Sequence, residues 1–534
     1  MSRRRLFLAL LCMTVTVGPP AGAQRIRVVN MIPRSLSHEH EENSEPSVTV
    51  NPVDPSFVVG TAYTIYTNNY CDKAHSPAFV SSDSGETWSL LCVLPTPSTL
   101  LTQKRSPALD MTVRFSGDGT ALYAGFMMVD QSNDTTLLGT DAHIVGYLAP
   151  VPNSLAPVFS RATLGAGVPI ASPLLLRRSV DQPFLATAPN PSRAIAIGAD
   201  DDYMLNFSTC YSGSVYYSLD VWPVNGVAGA GQINPYCVAF RPSAGRTPAV
   251  RTAIASDGYV YAVFYRPIGN GNIVDVVVAR NDPPILTLGL AFQGLKDRGS
   301  LLLGSKSDSS KKLGCVQRDS LPGFRVKPCA LYPTPTSSNF SNFGNERRIR
   351  SELSIAVSPT NPAQLYIAWA DSVPGSVAHL TLHFARSPDH GASWTIVPFA
   401  VDSATNPALA VAADGAVGIL YQHLASLNGE ARWEVCFALS TDGLASRPAC
   451  TKLADTPALT PAVEAQPYLG DYLTLESRGR NFFGIFSASN DLSHSTFWPD
   501  FGVQRLYGAD KVPVDLQGKP VPISIDPYFV RVIR

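Results

Sequence analysis

The chain has 534 residues, and its 41 Lys and Arg against 42 Asp and Glu give a formal net charge of -1. Charged residues make up only 16% of the chain and hydrophobic residues 45%, a composition that excludes an intrinsically disordered protein. The balanced charge also argues against a nucleic-acid-binding protein, which usually carries a strong basic excess.

The first 23 residues have the pattern of a secretory signal peptide. The basic stretch 3–5 precedes the apolar stretch 6–17, and residues 21–23 offer a small-residue cleavage site. The apolar stretch is too short to span a bilayer comfortably, and no later segment reaches that length. We therefore expect residues 1–23 to be removed. Residues 24–534 would then form one domain, secreted to the extracellular space or the periplasm.

The cysteines beyond the signal peptide fall as four close pairs along the chain. An even number of cysteines in an exported protein indicates disulfides. The alternative, a zinc site, lacks support because the sequence has no CxxC motif and no His clustered beside a Cys. The expected disulfides join Cys71 to Cys92, Cys210 to Cys237, Cys315 to Cys329, and Cys436 to Cys450.

The sequence contains internal repeats. Residues 44–52 match residues 351–359, and residues 81–88 match residues 387–394 in nearly the same register. Short strands rich in Val, Tyr, Ile and Phe alternate with turns rich in Gly, Asp and Pro. No long amphipathic helix with a 3.6-residue period accompanies them. Repeats of this size built only from strands are typical of the blades of a β-propeller.

Fainter copies of the repeat follow the same rhythm. The strand starts that we recognise lie at residues 46, 107, 183, 248, 353, 407 and 467. We therefore predict an all-β fold, a β-propeller with seven blades, or with six if one start belongs to an insertion. Such a ring closes on itself and hides the edges of its sheets.

The repeated turn has the pattern Ser-x-Asp-x-Gly-x-Thr/Ser-Trp. Its Asp can accept hydrogen bonds from turn amides, its Gly tolerates a positive φ, and its Trp can pack against a neighbouring sheet. The nearly complete copies are Ser81, Asp83, Gly85 and Trp88, and Ser387, Asp389, Gly391 and Trp394. Degenerate copies lie at residues 218–220 and 440–443.

This motif is the Asp-box of BNR repeats, and residues 40–500 accordingly resemble the sialidase (neuraminidase) superfamily. The resemblance implies that the motif serves the fold and lies away from the active site. It also implies an active site in which three arginines hold the substrate carboxylate, a Tyr activated by a Glu is the nucleophile, and an Asp is the acid/base.

Ligands of propellers usually bind at the mouth of the central channel, where the innermost strand of each blade begins. The residues just before the predicted strand starts alternate between arginines and carboxylates. They form either a solvated ring of mutually neutralising charges or a binding site.

The resemblance to sialidases assigns roles within this ring. The expected arginine clamp consists of Arg105, Arg246 and Arg350. The expected catalytic residues are Tyr472, with Tyr468 as the alternative nucleophile, Glu464 and Asp181. The remaining substrate-binding residues are Glu45, Glu352 and Asp471. Repeat register alone selects the arginines, because the early Arg-Ile-Pro motif of the family is absent.

An insertion is expected at about residues 300–350. Residues 305–350 contain nine Lys and Arg against three acidic residues. A positive flap over the channel mouth would attract an anionic substrate. The alternative is an ordinary solvated surface loop.

The function that these patterns favour is a secreted, sialidase-like exo-glycosidase acting on an anionic glycan. One alternative is a non-catalytic propeller that binds a glycan or a protein, which the missing Arg-Ile-Pro motif favours. A second alternative is a polysaccharide lyase. The sequence has no nucleotide-binding, zinc-protease or serine-hydrolase motif, so we expect no cofactor and no metal. The expected partner is a glycan, with no nucleic acid and no membrane span.

Overall fold

The computed structural model describes residues 24–63, 75–95, 111–129, 142–150, 168–169, 181–189, 194–200, 214–218, 222–224, 227–229, 234–237, 250–268, 273–283, 292, 294–295, 323–331, 352–372, 380–458, 460–461 and 469–534. These residues form β-strands joined by turns, with one 3-10 turn at Arg34–Leu36 and no α-helix among them. The prediction of an all-β fold is confirmed. Within this part of the chain, no helix has the length and apolar character needed to cross a membrane.

Seven sheets of four or five strands contain almost all of these strands. The first sheet consists of β2 (Ser44–Val50), β3 (Val58–Tyr63), β4 (His75–Ser81) and β5 (Ser89–Pro95). The second consists of β6 (Met111–Phe115), β7 (Ala121–Val129), β8 (Ala142–Pro150) and β9 (Val168–Pro169). The third consists of β10 (Asp181–Thr187), β11 (Ile195–Asp200), β12 (Ser214–Ser218) and β15 (Asn234–Cys237). A separate ribbon pairs β13 (Trp222–Val224) with β14 (Val227–Gly229).

The other four sheets follow along the chain. The fourth consists of β16 (Arg251–Ile254), β17 (Val260–Ile268), β18 (Ile273–Asn281) and β19 (Phe324–Leu331). The fifth consists of β20 (Leu353–Val357), β21 (Leu365–Ser372), β22 (Leu380–Ser387), β23 (Thr395–Ile396) and β24 (Val401–Asp402). The sixth consists of β25 (Ala404–Val411), β26 (Val417–Leu427), β27 (Glu430–Ser440), β28 (Cys450–Pro457) and β31 (Thr496–Phe497). The seventh consists of β29 (Thr474–Arg478), β30 (Asn481–Ser489), β33 (Ile525–Ile533), β1 (Arg25–Asn30) and β32 (Phe501–Gly502).

The first strands of the seven sheets contact one another in cyclic order. Each packs against the next, from β2 through β6, β10, β16, β20 and β25 to β29, and β29 packs against β2. The predicted strand starts at residues 46, 183, 353 and 407 lie inside these strands. The predicted starts at residues 107, 248 and 467 lie outside the described residues, ahead of β6, β16 and β29. The repeat rhythm in the sequence therefore marks the innermost strand of each sheet. The strand β19 lies within the segment expected to be an insertion, where it forms the outermost strand of the fourth sheet.

The hydrophobic core consists of layers between adjacent sheets. Between the fourth and fifth sheets, Tyr265 packs in the same buried cluster as Trp369. Between the seventh and first sheets, Phe483 and Phe529 share a cluster with Val48 and Trp88. Successive side chains of a strand point to opposite faces of its sheet. Each sheet can therefore present one apolar face to the preceding sheet and another to the following sheet.

The repeated Ser-x-Asp turns connect the third and fourth strands of their sheets. In the turn after β4, the Ser81 hydroxyl donates to Asp83 Oδ1 (2.8 Å) and accepts from the Gly85 amide (2.9 Å). Asp83 also accepts from the amide (2.9 Å) and hydroxyl (2.6 Å) of Thr87. Burial alone would raise the pKa of Asp83, but these hydrogen bonds outweigh it and lower the pKa.

The same bonds recur around Asp389 in the turn after β22 and around Asp442 in the turn after β27. Hydrogen bonds from Ser446 and Ser440 lower the pKa of the exposed Asp442 to about 2. In the first of the three turns, the ring of Trp88 lies edge-on to Phe529 of the seventh sheet, at 5.3 Å between centroids. All three Asp side chains therefore serve turn structure, as the sequence predicts.

One predicted disulfide is described completely. Cys436 on β27 and Cys450 on β28 are bonded, with a Cα–Cα distance of 5.4 Å. Cys92 and Cys329 are also disulfide-bonded, and their expected partners lie outside the described residues. The pairing of Cys210 with Cys237 stays a prediction.

The N-terminal strand completes the seventh sheet. The strand β1 pairs antiparallel with β33 along its whole length and parallel with β32 on its other edge. Buried charges hold this arrangement, because Arg505 bonds Asp526 Oδ1 (2.9 Å) and Oδ2 (3.0 Å) and lies 3.4 Å from Glu39 Oε2. The Arg505 and Asp526 side chains are fully buried, and that of Glu39 is 4% exposed.

The Glu39 carboxyl should make the stability of the protein depend on pH. Burial, and then the negative charge of Asp526, raise the pKa of Glu39 to about 8, against the opposing effect of Arg505. The folded state therefore binds a proton that the unfolded state has released, and the free energy of unfolding should fall as the pH rises from about 4.5 to about 8.

Replacing Glu39 with Gln should make the free energy of unfolding fall less steeply as the pH rises. Urea unfolding between pH 5 and pH 9 would measure this change. The matched control is Glu430→Gln, which changes an exposed carboxylate and should leave the pH profile as it is in the wild type. An unaltered pH slope in Glu39→Gln would contradict the assignment.

Candidate functional site

A cavity of about 340 Å³ runs along the innermost strands. Residues of β10, β16, β20, β25 and β29 line it, together with the C-terminal end of β6. Its lining is mostly apolar or small. The charged residues among the described lining are Arg114, Arg251, Glu476 and Arg478, an excess of two positive charges. The cavity therefore offers a positive potential to a ligand in the channel.

Two aromatic rings and one arginine meet where the innermost strands begin. The guanidinium carbon of Arg251 lies 5.0 Å from the centroid of the Phe184 ring and 5.2 Å from that of Tyr472. Both distances are those of cation–π contacts. Phe184 and Arg251 belong to the neighbouring third and fourth sheets, whereas Tyr472 lies two residues before the first strand of the seventh. Arg251 therefore contacts residues of two other sheets.

Farther along the innermost strands, a buried ion pair joins three sheets. Arg114 Nε lies 3.2 Å from Glu476 Oε1, and both side chains are less than 10% exposed. Arg114 Nη1 also donates to the carbonyl of Val48 (3.1 Å), and Glu476 Oε2 accepts from the amide of Val50 (3.1 Å) and from Arg478 Nη2 (2.9 Å). Burial lowers the pKa of Arg114, as does the nearby Arg478, whereas Glu476 opposes the shift. Glu476 is thus occupied by structural contacts.

The innermost strands of three sheets begin with the same irregularity. The register shifts between Ser44 and Ser47, between Asp181 and Phe184, and between Thr405 and Ala408. In each case the third residue of the segment is a proline, which cannot donate a hydrogen bond to the neighbouring strand.

The residue before the proline has a positive φ in two of these bulges, 51° at Glu45 and 50° at Asn406. Backbone in this region is strained for residues other than Gly, and such strain collects at functional sites. These bulges lie at the starts of innermost strands, where the sequence predicts the ligand to bind.

The structure describes only part of the predicted site. Tyr472 lines the cavity beside Arg251. Glu45, Glu352 and Asp471 are buried and are not among the described residues that line it. Asp181 opens β10, and only its backbone is described. Arg105, Arg246, Arg350, Glu464 and Tyr468 lie outside the described residues, so their roles stay predictions.

Sequence reasoning missed Arg114 and Arg251 because it examined only residues that precede the strand starts. Both arginines lie inside innermost strands, Arg114 on β6 and Arg251 on β16. The available signal was an isolated arginine in a strand that is expected to be buried. A buried charge is costly unless other groups compensate it, so such an arginine indicates a structural or functional role.

Other polar clusters suit structural roles better. His383 Nε2 lies 3.0 Å from Asp371 Oδ1, and the His383 ring stacks on Trp369 at the interface of the fourth and fifth sheets. Nowhere in the described ranges do three or more His, Cys, Asp or Glu side chains come together as ligands for a metal ion.

Comparison with known proteins gives only distant likenesses. No protein-family model and no curated protein matches the sequence. A solved structure of the α-L-arabinofuranosidase Arb93A from Fusarium graminearum has a TM-score of 0.40 at 9% identity, covering 95% of this chain and 97% of that one. An ulvan lyase of polysaccharide lyase family PL25 has a TM-score of 0.42 at 10% identity, covering 91% and 99%. An α-L-arabinanase from Penicillium chrysogenum has a TM-score of 0.39 at 10% identity, covering 95% and 98%. Likenesses at this level determine neither the fold nor the activity of this chain.

The buried ion pair in the channel should be costly to break. Replacing Glu476 with Gln leaves the Arg114 guanidinium buried without its counter-charge, which should lower the free energy of unfolding by about 3–5 kcal/mol. Urea unfolding would measure the loss, and the double variant Arg114→Met, Glu476→Gln should recover part of it. Loss of less than about 1 kcal/mol in Glu476→Gln would show that the pair is solvated and outside the core.

Proposed function

We propose that this protein is a secreted seven-bladed β-propeller, related in design to sialidases, that acts on an anionic glycan in its central channel. The seven sheets are then the blades, and the cyclic contacts between their first strands support this interpretation. The disulfide between Cys436 and Cys450 fits an oxidising compartment outside the cytoplasm. The three Ser-x-Asp turns with matching hydrogen bonds support the Asp-box assignment.

The observation that carries the proposal is the contact of Arg251 with Tyr472 in a cavity with an excess of positive charge. A guanidinium group binds a carboxylate or sulfate ester by paired, charge-assisted hydrogen bonds. The neighbouring rings of Phe184 and Tyr472 offer apolar faces on which a sugar ring can lie. The site thus suits a sugar that carries an acidic group.

Tyr472 is the proposed nucleophile of a glycoside hydrolase. Its oxygen would form a bond to the anomeric carbon as the bond from that carbon to the leaving oxygen breaks, with Asp181 donating the proton to the leaving group. Positive charge beside the ring stabilises the phenolate that such a reaction requires. Glu464 remains the proposed base, because Glu476 is held by Arg114, Arg478 and a backbone amide. Water would then release the sugar from Tyr472.

One observation favours the binding alternative. Among the described lining residues, Glu476 is the only carboxylate, and it is not available as an acid or base. A channel that binds an acidic glycan without cleaving it needs only Arg251 and the two rings.

In the lyase alternative, Arg251 would neutralise a uronate carboxylate and Tyr472 would remove the proton from the carbon next to that carboxylate.

A single set of assays on the purified mature protein separates the three possibilities. Release of fluorophore from a sialic-acid glycoside reports hydrolysis, ultraviolet absorbance of an unsaturated product reports a lyase, and calorimetric titration with a uronate oligosaccharide reports binding.

Hydrolysis is the expected outcome, and Tyr472→Phe should abolish it. Arg251→Met should weaken turnover by about 10–100-fold, the effect of losing one charge-assisted contact.

The matched control is Arg480→Met, which removes an exposed arginine that bonds Asp414 and does not line the cavity. Hydrolysis that survives Tyr472→Phe would exclude Tyr472 as the nucleophile. The absence of both turnover and binding would exclude the proposed function and leave the fold intact.

A further inference from the structure

We infer that Asn406 and Glu45 form a clamp on Gly470 that sets the position of Tyr472 in the channel. This inference deepens the proposed function and rests on it only for the role of Tyr472. The clamp brings together the sixth, seventh and first sheets, since Asn406 lies on β25, Gly470 precedes β29 and Glu45 lies on β2.

Asn406 forms one side of the clamp. Its Nδ2 donates to the carbonyl of Gly470 (3.0 Å) and to Gln422 Oε1 (2.8 Å), and its side chain is buried. Thr405 donates its hydroxyl to Asn406 Oδ1 (3.4 Å). Gln422 is itself buried, and its Nε2 has no hydrogen-bond partner in the described part of the chain. The amide of Gln422 thus turns its oxygen to Asn406.

Glu45 forms the other side through its backbone. A Cβ atom at Gly470 would lie 2.4 Å from the Glu45 amide nitrogen and 2.8 Å from its Cα, so only Gly fits at this position. Gly470 also has a φ of 89°, in the region that favours Gly. The segment that carries Tyr472 is thus packed against one bulge and hydrogen-bonded to another.

The two bulges explain how the contacts arise. The positive φ at Glu45 and at Asn406 turns each of these residues out of the regular strand, beside the Gly470 backbone. The strain at Asn406 is moderate because Asn tolerates this conformation better than most residues. Two residues beyond Gly470, Tyr472 lies against Arg251. Movement of Gly470 would therefore change the distance between the Tyr472 ring and Arg251.

The test is hydrogen exchange of the peptide that covers residues 469–473 in the full mature protein. The variant Asn406→Gly keeps the backbone conformation available and removes both side-chain bonds to the segment and to Gln422. We expect the exchange rate of this peptide to rise at least about tenfold, as for a segment whose local opening has become easier. Asn406→Asp lacks the two amide donors and turns an acceptor toward the Gly470 carbonyl, so it should raise the exchange rate at least as much.

The matched control is Asn428→Gly. Asn428 has a φ of 53° and lies in the exposed turn between β26 and β27 of the same sheet. Its replacement by Gly should leave exchange at residues 469–473 unchanged.

Turnover and glycan affinity are measured on the same variants, and Asn406→Gly should reduce them about tenfold or more, as expected when a reacting group is misplaced.

If residues 469–473 exchange in Asn406→Gly at the same rate as in the wild type, the inference of a clamp is wrong. Faster exchange with undiminished turnover and affinity would overturn its role in the site. If the wild-type protein neither cleaves nor binds the glycans, the proposed function fails, while the exchange result still decides whether the clamp exists.

Discussion

The structure depends on the packing of its first sheet against its seventh, which a strand from the start of the chain completes. Each apolar layer needs two sheets, so the seventh sheet must pack against the first as firmly as any other pair. The strand β1 achieves this from within the seventh sheet, where it lies between β33 and β32. Arg27 on β1 adds ion pairs to Glu86, in the turn of the first sheet, and to Asp500.

Two networks of buried charged and polar groups lie near the contact between the seventh and first sheets. Arg505, Asp526 and Glu39 connect the N-terminal segment to the seventh sheet, and Arg114 and Glu476 connect the second sheet to the seventh beside β2. Buried ion pairs contribute little net stability compared with apolar packing, but breaking one leaves a buried charge without compensation. These networks therefore oppose any shift of the seventh sheet relative to its neighbours.

The sequence predicts the periodic part of this fold well. Strand starts, turn chemistry and the disulfide between Cys436 and Cys450 follow from local patterns, because prolines, Ser-x-Asp turns and paired cysteines act over short distances. The short strands β31 and β32 have no such pattern, since β31 pairs with β28 of the preceding sheet and β32 pairs with β1 near the start of the chain. Their assignment to a sheet depends on tertiary contacts.

The candidate site was harder to predict for a related reason. Tyr472 follows from its place near a strand start, and the structure puts it in the cavity. Arg251 and Arg114 lie inside strands, where the direction of a side chain depends on register, and the bulges shift that register by amounts that the sequence does not show. Glu45 and Asp471, although polar and close to strand starts, are buried and are not among the described residues that line the cavity.

The pairing of β1 with β33 also determines the order in which the protein can fold. A chain that leaves the ribosome from its N-terminus presents β1 long before β33 exists. The sheets between them can form as local antiparallel units, but the last layer must wait for nearly the whole chain. Until then β1 and the edge of the first sheet remain available for wrong pairing, so folding should be slow to finish and sensitive to chaperones.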